Sequence, residues 1–202
     1  MVHVSQGCAG IHKILYIAFR DDPLFQKLFN DKAKLLEFFK AIETLSVSRT
    51  LRSICVLEEG HPVSVAVLEL ANVSRLSVNG ETLRHFIHSI SPSLLYEVAG
   101  WSGESVKYWK SLRSIQDSCH LLFLASMVRG RGYGSLALKV AEGICRKLGK
   151  SWIVLDVDKE NRALKLYYKR GFQPLGEACF SGRTYIIMGK PLQAHALISL
   201  LQ

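Results

Sequence analysis

A chain of 202 residues with 49% hydrophobic and 21% charged residues has the composition of a folded protein, not of a disordered one, and can bury a core without staples. Its net charge of +9 favours anionic partners such as nucleotides, phosphates, nucleic acid or membrane headgroups, without choosing among them. No apolar run reaches the ~18 residues that span a bilayer, and no basic stretch followed by an apolar one marks a secretion signal. The five cysteines, Cys8, Cys55, Cys119, Cys145 and Cys179, are odd in number and lack Cys-x-x-Cys spacing. That argues against a disulfide framework and against a zinc ribbon. They read as small apolar residues of a protein in the reducing cytoplasm, with no metal.

In chain order, Val2–Ser5 reads as a short edge strand and Ile11–Phe19 as a helix. Asp21-Asp22-Pro23 is a helix start, with proline in the first turn and acids near the positive end. From it a longer helical stretch carries Leu24, Leu28, Leu35, Leu36, Phe38, Phe39 and Ile42 as one apolar stripe. Leu51–Leu57 and Val63–Leu70 form a hairpin around the turn Glu58–Pro62. The region 72–118 is rich in serine and glycine and predicts short helices at Glu81–Ile90, Ser93–Val98 and Glu104–Ile115. Phe86, Leu94, Leu95, Trp101 and Trp109 need packing, so it reads as an insertion within one domain spanning 1–202.

The C-terminal half is more regular. His120–Ser126 is a continuous apolar run, the pattern of a buried strand. Gly134–Leu148 predicts a helix with Leu136, Ala137, Val140, Ala141, Ile144, Cys145 and Leu148 on one face and Gly149 as its cap. Trp152–Val157 is a strand and Ala163–Lys169 a helix ending at Gly171. Gln173–Cys179 and Arg183–Met188 close the series as a strand pair. Alternating strands and helices predict a mixed sheet with crossover helices, an α/β (α+β) domain.

Between strand and helix lies Arg129-Gly130-Arg131-Gly132-Tyr133-Gly134-Ser135. Its glycines allow positive φ and close approach of backbone N–H groups to a ligand. The helix behind it adds about half a positive charge at its start. Together they make an anion site, reinforced by Arg129 and Arg131. A dinucleotide fingerprint does not fit, because its last glycine falls on Ser135, and a Walker loop lacks its lysine.

Arg-x-x-Gly-x-Gly over Arg129, Gly132 and Gly134 resembles the acetyl-CoA pyrophosphate loop of the GNAT superfamily of N-acetyltransferases. One helix and one strand later, Asn161-Arg162-Ala163-Leu164-Lys165-Leu166-Tyr167-Tyr168-Lys169-Arg170-Gly171-Phe172 is similar to the second signature of that superfamily. It has one residue fewer between Asn and Ala. The resemblance runs over about 120–188 and implies a mixed, mostly antiparallel sheet of six to seven strands flanked by helices. In that fold the strands 120–126 and 152–157 splay apart, and pantetheine slots between them.

The resemblance further implies that Leu124, Ala125 and Ser126 pair with pantetheine, that Arg129 to Ser135 hold the pyrophosphate, and that Asn161 and Leu166 contact the arm. Tyr167 is then the group that protonates the departing thiolate. The implied activity is acetyl transfer from acetyl-CoA, as cosubstrate, to a primary amine attacking directly in a ternary complex. Polyamines, aminoglycosides, peptide N-termini and lysines all remain open as acceptors. Glu58, Glu59, Glu69 and His120 are candidates for the base. A non-catalytic CoA sensor on the same fold is the alternative. Nucleic-acid binding rests on charge alone, since no basic run with interleaved aromatics is present. The expected state is a cytoplasmic monomer or homodimer without membrane attachment.

Overall fold

A computed structural model describes residues 1–29, 31–46, 51–70, 90–100 and 115–192, with backbone alone at 97–100. Along these the order is β1 (Val2–Gln6), α1 (Ile11–Phe19), α2 (Pro23–Leu28), α3 (Lys32–Ser46), β2 (Leu51–Glu58), β3 (His61–Glu69) and α4 (Pro92–Gly100). Then follow β4 (Ser118–Ser126), α5 (Tyr133–Lys147), β5 (Trp152–Asp158), α6 (Leu164–Lys169), β6 (Gln173–Phe180) and β7 (Arg183–Pro191). The strands form one seven-stranded sheet in the order β1-β2-β3-β4-β5-β7-β6. All neighbours are antiparallel except β4 and β5, which are parallel. This is the mixed sheet that the alternating sequence pattern predicts.

Strand alternation divides the core into two layers. On one face Ile54, Val56, Ala66, Leu68, Ile153 and Leu155 pack against Ala137, Leu138, Ala141 and Cys145 of α5. On the other, Cys55, Val65, Val67 and Ala125 meet Ile11 and Leu15 of α1 and Leu35, Phe39 and Ile42 of α3. Phe25 and Phe123 both lie beside Phe39, with ring centroids 5.4 and 5.8 Å away. Helix α3 also anchors its neighbours. Glu43 accepts the N–H groups of Gly10 and His12 at the start of α1, and Glu37 accepts the Ser91 N–H at the start of α4. Each carboxylate thereby satisfies donors that a helix start leaves unpaired. Among the described residues no helix is long and apolar enough to cross a membrane.

Two expectations change. The longer helical stretch after Pro23 is two helices, because Phe29 is extended (φ −123°, ψ 110°) and ends α2. Asp31 then starts α3, its carboxylate accepting the Ala33 N–H at 2.8 Å. The cysteines are not all free: Cys8 and Cys55 form a disulfide with Cα atoms 6.4 Å apart. Pairing of Ser5 with Cys55 across β1 and β2 carries Cys8 to its partner, a contact that spacing along the chain does not announce. Cys119 and Cys145 are buried free thiols and Cys179 is exposed. Of the expected helices in the insertion, Ser93–Val98 lies within α4, while those at 81–89 and 104–114 fall outside the described residues.

Candidate active site

The sheet opens between its two parallel strands. Ser118, Cys119 and His120 of β4 pair with Trp152, Ile153 and Val154 of β5, and the pairing stops there. Both strands run on, to Ser126 and Asp158. The cause is local to β4. The β3–β4 register shifts between Val67 and Leu68, leaving Leu122 as an extra residue. Leu122 and Phe123 then both pack on the α1–α3 side, whereas Leu121 and Leu124 face α5. Such a bulge bends its strand, here away from β5.

Beyond the bulge, the Ala125 carbonyl accepts the Ser64 hydroxyl (2.7 Å) and the Met127 N–H donates to Val63 (2.8 Å). Residues 125 and 127 therefore face β3. Alternation turns the N–H and C=O groups of Leu124 and Ser126 toward the open side.

The Ser126 hydroxyl donates to the Val128 carbonyl (3.0 Å) and pins the start of the glycine loop. Gly130 and Gly132 are left-handed, with φ of 82° and 79°, so the loop itself requires them. Gly132 is the N-cap of α5, and no side chain caps the helix. Helix α5 thus begins at Tyr133, one residue before the predicted Gly134. Gly134 differs from the other two: its φ is not positive, and a Cβ added there meets nothing within 4 Å. Tyr133 is buried and donates to Glu58 at 2.5 Å, and Arg131 pairs with the same carboxylate at 3.4 Å. Glu58 therefore serves the loop. Arg129 and Ser135 flank it, Arg129 being exposed.

Asn161 shapes the second motif. Its side-chain oxygen accepts the Ala163 N–H (2.9 Å) and its carbonyl accepts the Leu164 N–H (3.1 Å), turning the chain from β5 into α6. On α6, Leu166 is half-buried and Tyr168 exposed, but Tyr167 is 7% exposed and packs edge-on against Phe172. The Tyr167 hydroxyl makes no hydrogen bond among the described residues. Burial, and then the charge of Asp156, push its phenol well above the ordinary tyrosine range, so it keeps its proton at neutral pH.

Of the base candidates, the structure brings Glu69 and His120 together and adds Asp156. The His120 Nε2 lies 2.9 Å from Asp156, and its Nδ1 lies 3.7 Å from Glu69. Burial alone would lower this imidazole. Its hydrogen bond to Asp156 and the nearby carboxylate of Glu69 outweigh burial and push it up to about 9. Asp156 does not stand out in the sequence, because its partner is 36 positions away and only the parallel pairing of β4 with β5 joins them. The one available signal is an acid inside the otherwise apolar strand 152–157. Among the described residues no group of His, Cys, Asp and Glu side chains is arranged to hold a metal ion.

An open mixed sheet, parted between parallel strands and followed by a glycine loop on a helix start, defines an acetyltransferase type of domain. The sequence pattern of the Acetyltransferase (GNAT) family matches residues 19–172, and the chain belongs to that family. Similar folds include a histone acetyltransferase HPA2 and related acetyltransferase from Corynebacterium glutamicum, 21% identical, with TM-score 0.62 over 94% of this chain and 96% of that one. The PaiA N-acetyltransferase from Thermoplasma acidophilum in complex with coenzyme A is 13% identical, with TM-score 0.57 over 95% and 99%. The ribosomal-protein-S18-alanine N-acetyltransferase from Escherichia coli is 12% identical, with TM-score 0.53 over 96% and 95%. No curated protein matches the chain by sequence.

Proposed function

We propose that the protein transfers an acetyl group from acetyl-CoA to a primary amine, by direct attack in a ternary complex. The observation that carries this reading is the edge of β4 at Leu124 and Ser126, which pairs with no strand among the described residues and runs into the glycine loop. A backbone edge without a partner strand suits the amide-bearing pantetheine arm, and the uncapped α5 start suits its pyrophosphate. Gly134 supports the same point. The fold demands no glycine there, so the missing side chain leaves room for a ligand. Arg129 and Arg131 add charge, Gly130, Gly132, Gly134, Tyr133 and Ser135 supply the backbone, and Asn161 and Leu166 flank the arm. Ala125 takes part through its neighbours, since its own carbonyl is engaged by Ser64.

In this reading Tyr167 is the acid. Its phenol stays protonated until a thiolate leaves beside it, and then donates. Holding amine and thioester side by side supplies much of the rate. The whole chain acts as one such domain, with 72–118 as its insertion, in the cytoplasm. There the Cys8–Cys55 bond faces a reducing thiol pool, and thiol counting after an acid quench tells bond from dithiol. The main test is thermal unfolding with millimolar acetyl-CoA or CoA, together with mass detection of acetylated amines. A melting temperature that neither ligand moves sinks the reading, because a specific binder stabilises by mass action.

A further inference from the structure

The Cys8–Cys55 bond joins two unlike places. Cys55 lies within β2, paired on one side with Ser5 of β1 and on the other with Val65 of β3, and it is fully buried. Cys8 lies on the turn from β1 into α1 and is half-buried. A thiol from solvent therefore meets the Cys8 sulfur first, and the enclosed Cys55 sulfur is the leaving group. Two unbonded sulfurs cannot stay at bonding distance. Strand pairing holds Cys55, so on reduction the displacement falls on Cys8 and the start of α1.

Helix α1 rests on the layer that backs the parted strands. Ser5, Cys55, Val65 and Ala125 are register partners in one row across β1, β2, β3 and β4, so their side chains share a face. Cys55, Val65 and Ala125 pack there with Ile11, Ile14 and Leu15 of α1. The row ends at Ala125, between Leu124 and Ser126, on the stretch of β4 beyond its pairing with β5. Interiors are close-packed, so a shift of Ile11 and Leu15 passes through the row to that stretch. The start of α1 keeps two other ties. The Gly7 N–H donates to the Ser53 carbonyl (3.1 Å), and Glu43 accepts the N–H groups of Gly10 and His12. These hold α1 on the sheet when the covalent tie is open.

Resting on the acetyl-transfer reading, we infer that Cys8–Cys55 is a thiol-controlled switch on acetyl-CoA binding: the bonded form seats β4 for the pantetheine arm, and the dithiol form, with α1 loosened, binds it more weakly. Disulfides of a reducing compartment are usually transient, catalytic or redox-sensing. This one joins a half-buried cysteine to an enclosed one, as a bond that opens from one end requires. In the opening step a dithiol reductant attacks Cys8 as a thiolate, the S–S bond breaks, and Cys55 takes up a proton. The second thiol of the reductant then displaces Cys8, which also leaves as a thiol. Two electrons and two protons have passed to the protein, and the reductant leaves as a cyclic disulfide. In the closing step hydrogen peroxide oxidises Cys8 to a sulfenic acid with release of one water, and Cys55 displaces a second water as the bond forms.

The test measures acetyl-CoA affinity by calorimetric titration of the oxidised wild type and of the same protein after millimolar dithiothreitol. Thiols are counted after an acid quench, and circular dichroism follows the fold. Reduction should free the thiols of Cys8 and Cys55, leave the fold intact and weaken acetyl-CoA binding about tenfold. Hydrogen peroxide should restore both bond and affinity. Cys8→Ser should bind as weakly as the reduced protein and answer to neither reagent. Cys179→Ser, which removes the exposed thiol, should respond like wild type. Coupling is reciprocal, so saturating acetyl-CoA should raise, by the same factor, the ratio of reduced to oxidised dithiothreitol that half-opens the bond. A bond that only staples the fold predicts no such shift. Affinities that agree within about twofold or that rise on reduction overturn the switch while acetyl-CoA binding stands. So does a bond that dithiothreitol leaves closed, or a fold lost on reduction. Absence of acetyl-CoA binding in both forms overturns the acetyl-transfer reading and the switch with it.

Discussion

Two ionic clusters among the described residues are opposites. On α5, Glu142 is one carboxylate among three cations: Lys190 at 2.7 Å, with Arg146 and Arg170 each at 3.4 Å. At the strand parting, His120 is one cation between two carboxylates. The Glu142 side chain is 3% exposed, and Lys190 comes from β7, which pairs with β5 along its length. Asp156 is 22% exposed and sits where pairing of β5 with β4 has ceased, while β5 still pairs with β7. Buried charge alone therefore does not mark a site. A cluster closed on every side ties elements together, here α5, β7 and the end of α6. A cluster at an open seam leaves one member, Asp156, part-exposed.

The comparison breaks or sharpens under mutation. The largest effect belongs to the closed cluster. Glu142→Gln strands three cations and should cost about 3 to 5 kcal/mol in urea unfolding, with acetyl transfer per folded molecule unchanged. A loss below about 1 kcal/mol would put Glu142 with ordinary surface pairs.

The open cluster should instead show in pH. The folded imidazole of His120 lies at about 9, above its ordinary 6.5. Its stabilisation is thus complete below 6.5 and lost as pH rises through 9. Wild type should lose on the order of 3 kcal/mol over that window relative to His120→Asn. Parallel stability curves for the two proteins would contradict the shift. Next in size, Tyr167→Phe should lower kcat by about a hundredfold while CoA binding persists. Unchanged turnover removes Tyr167 from the chemistry. Smallest is Gly134→Ala, which should weaken CoA binding on the order of tenfold while the melting temperature holds or rises. Calorimetric titration decides it, and undiminished affinity would mean that nothing approaches that glycine.

Much of this was legible along the chain, for physical reasons that differ by region. The glycine loop and the turn at Asn161 are local: backbone freedom, a cap and a helix start lie within a few residues of one another. Helix α5 ends as expected, with the Gly149 N–H donating to the Arg146 carbonyl (2.9 Å). The Glu69–His120–Asp156 cluster was only half legible. Two of its members were base candidates, but they met only through β3–β4 and β4–β5 pairing, and Asp156 entered with the structure. The Cys8–Cys55 bond was hidden for the same reason. The break at Phe29 was missed because the apolar stripe continues across it, and Asp31 alone signals the new start.

The Cys8–Cys55 bond has a topological consequence. Its two ends lie 47 positions apart, and α1, α2 and α3 all fall between them. Three helices on one face of the sheet therefore belong to a covalent ring, which persists when the fold is lost. By chain entropy, closing a ring of that length stabilises by about 4 kcal/mol. A protease that nicks the backbone inside the ring yields two pieces that still migrate as one until a reductant parts them.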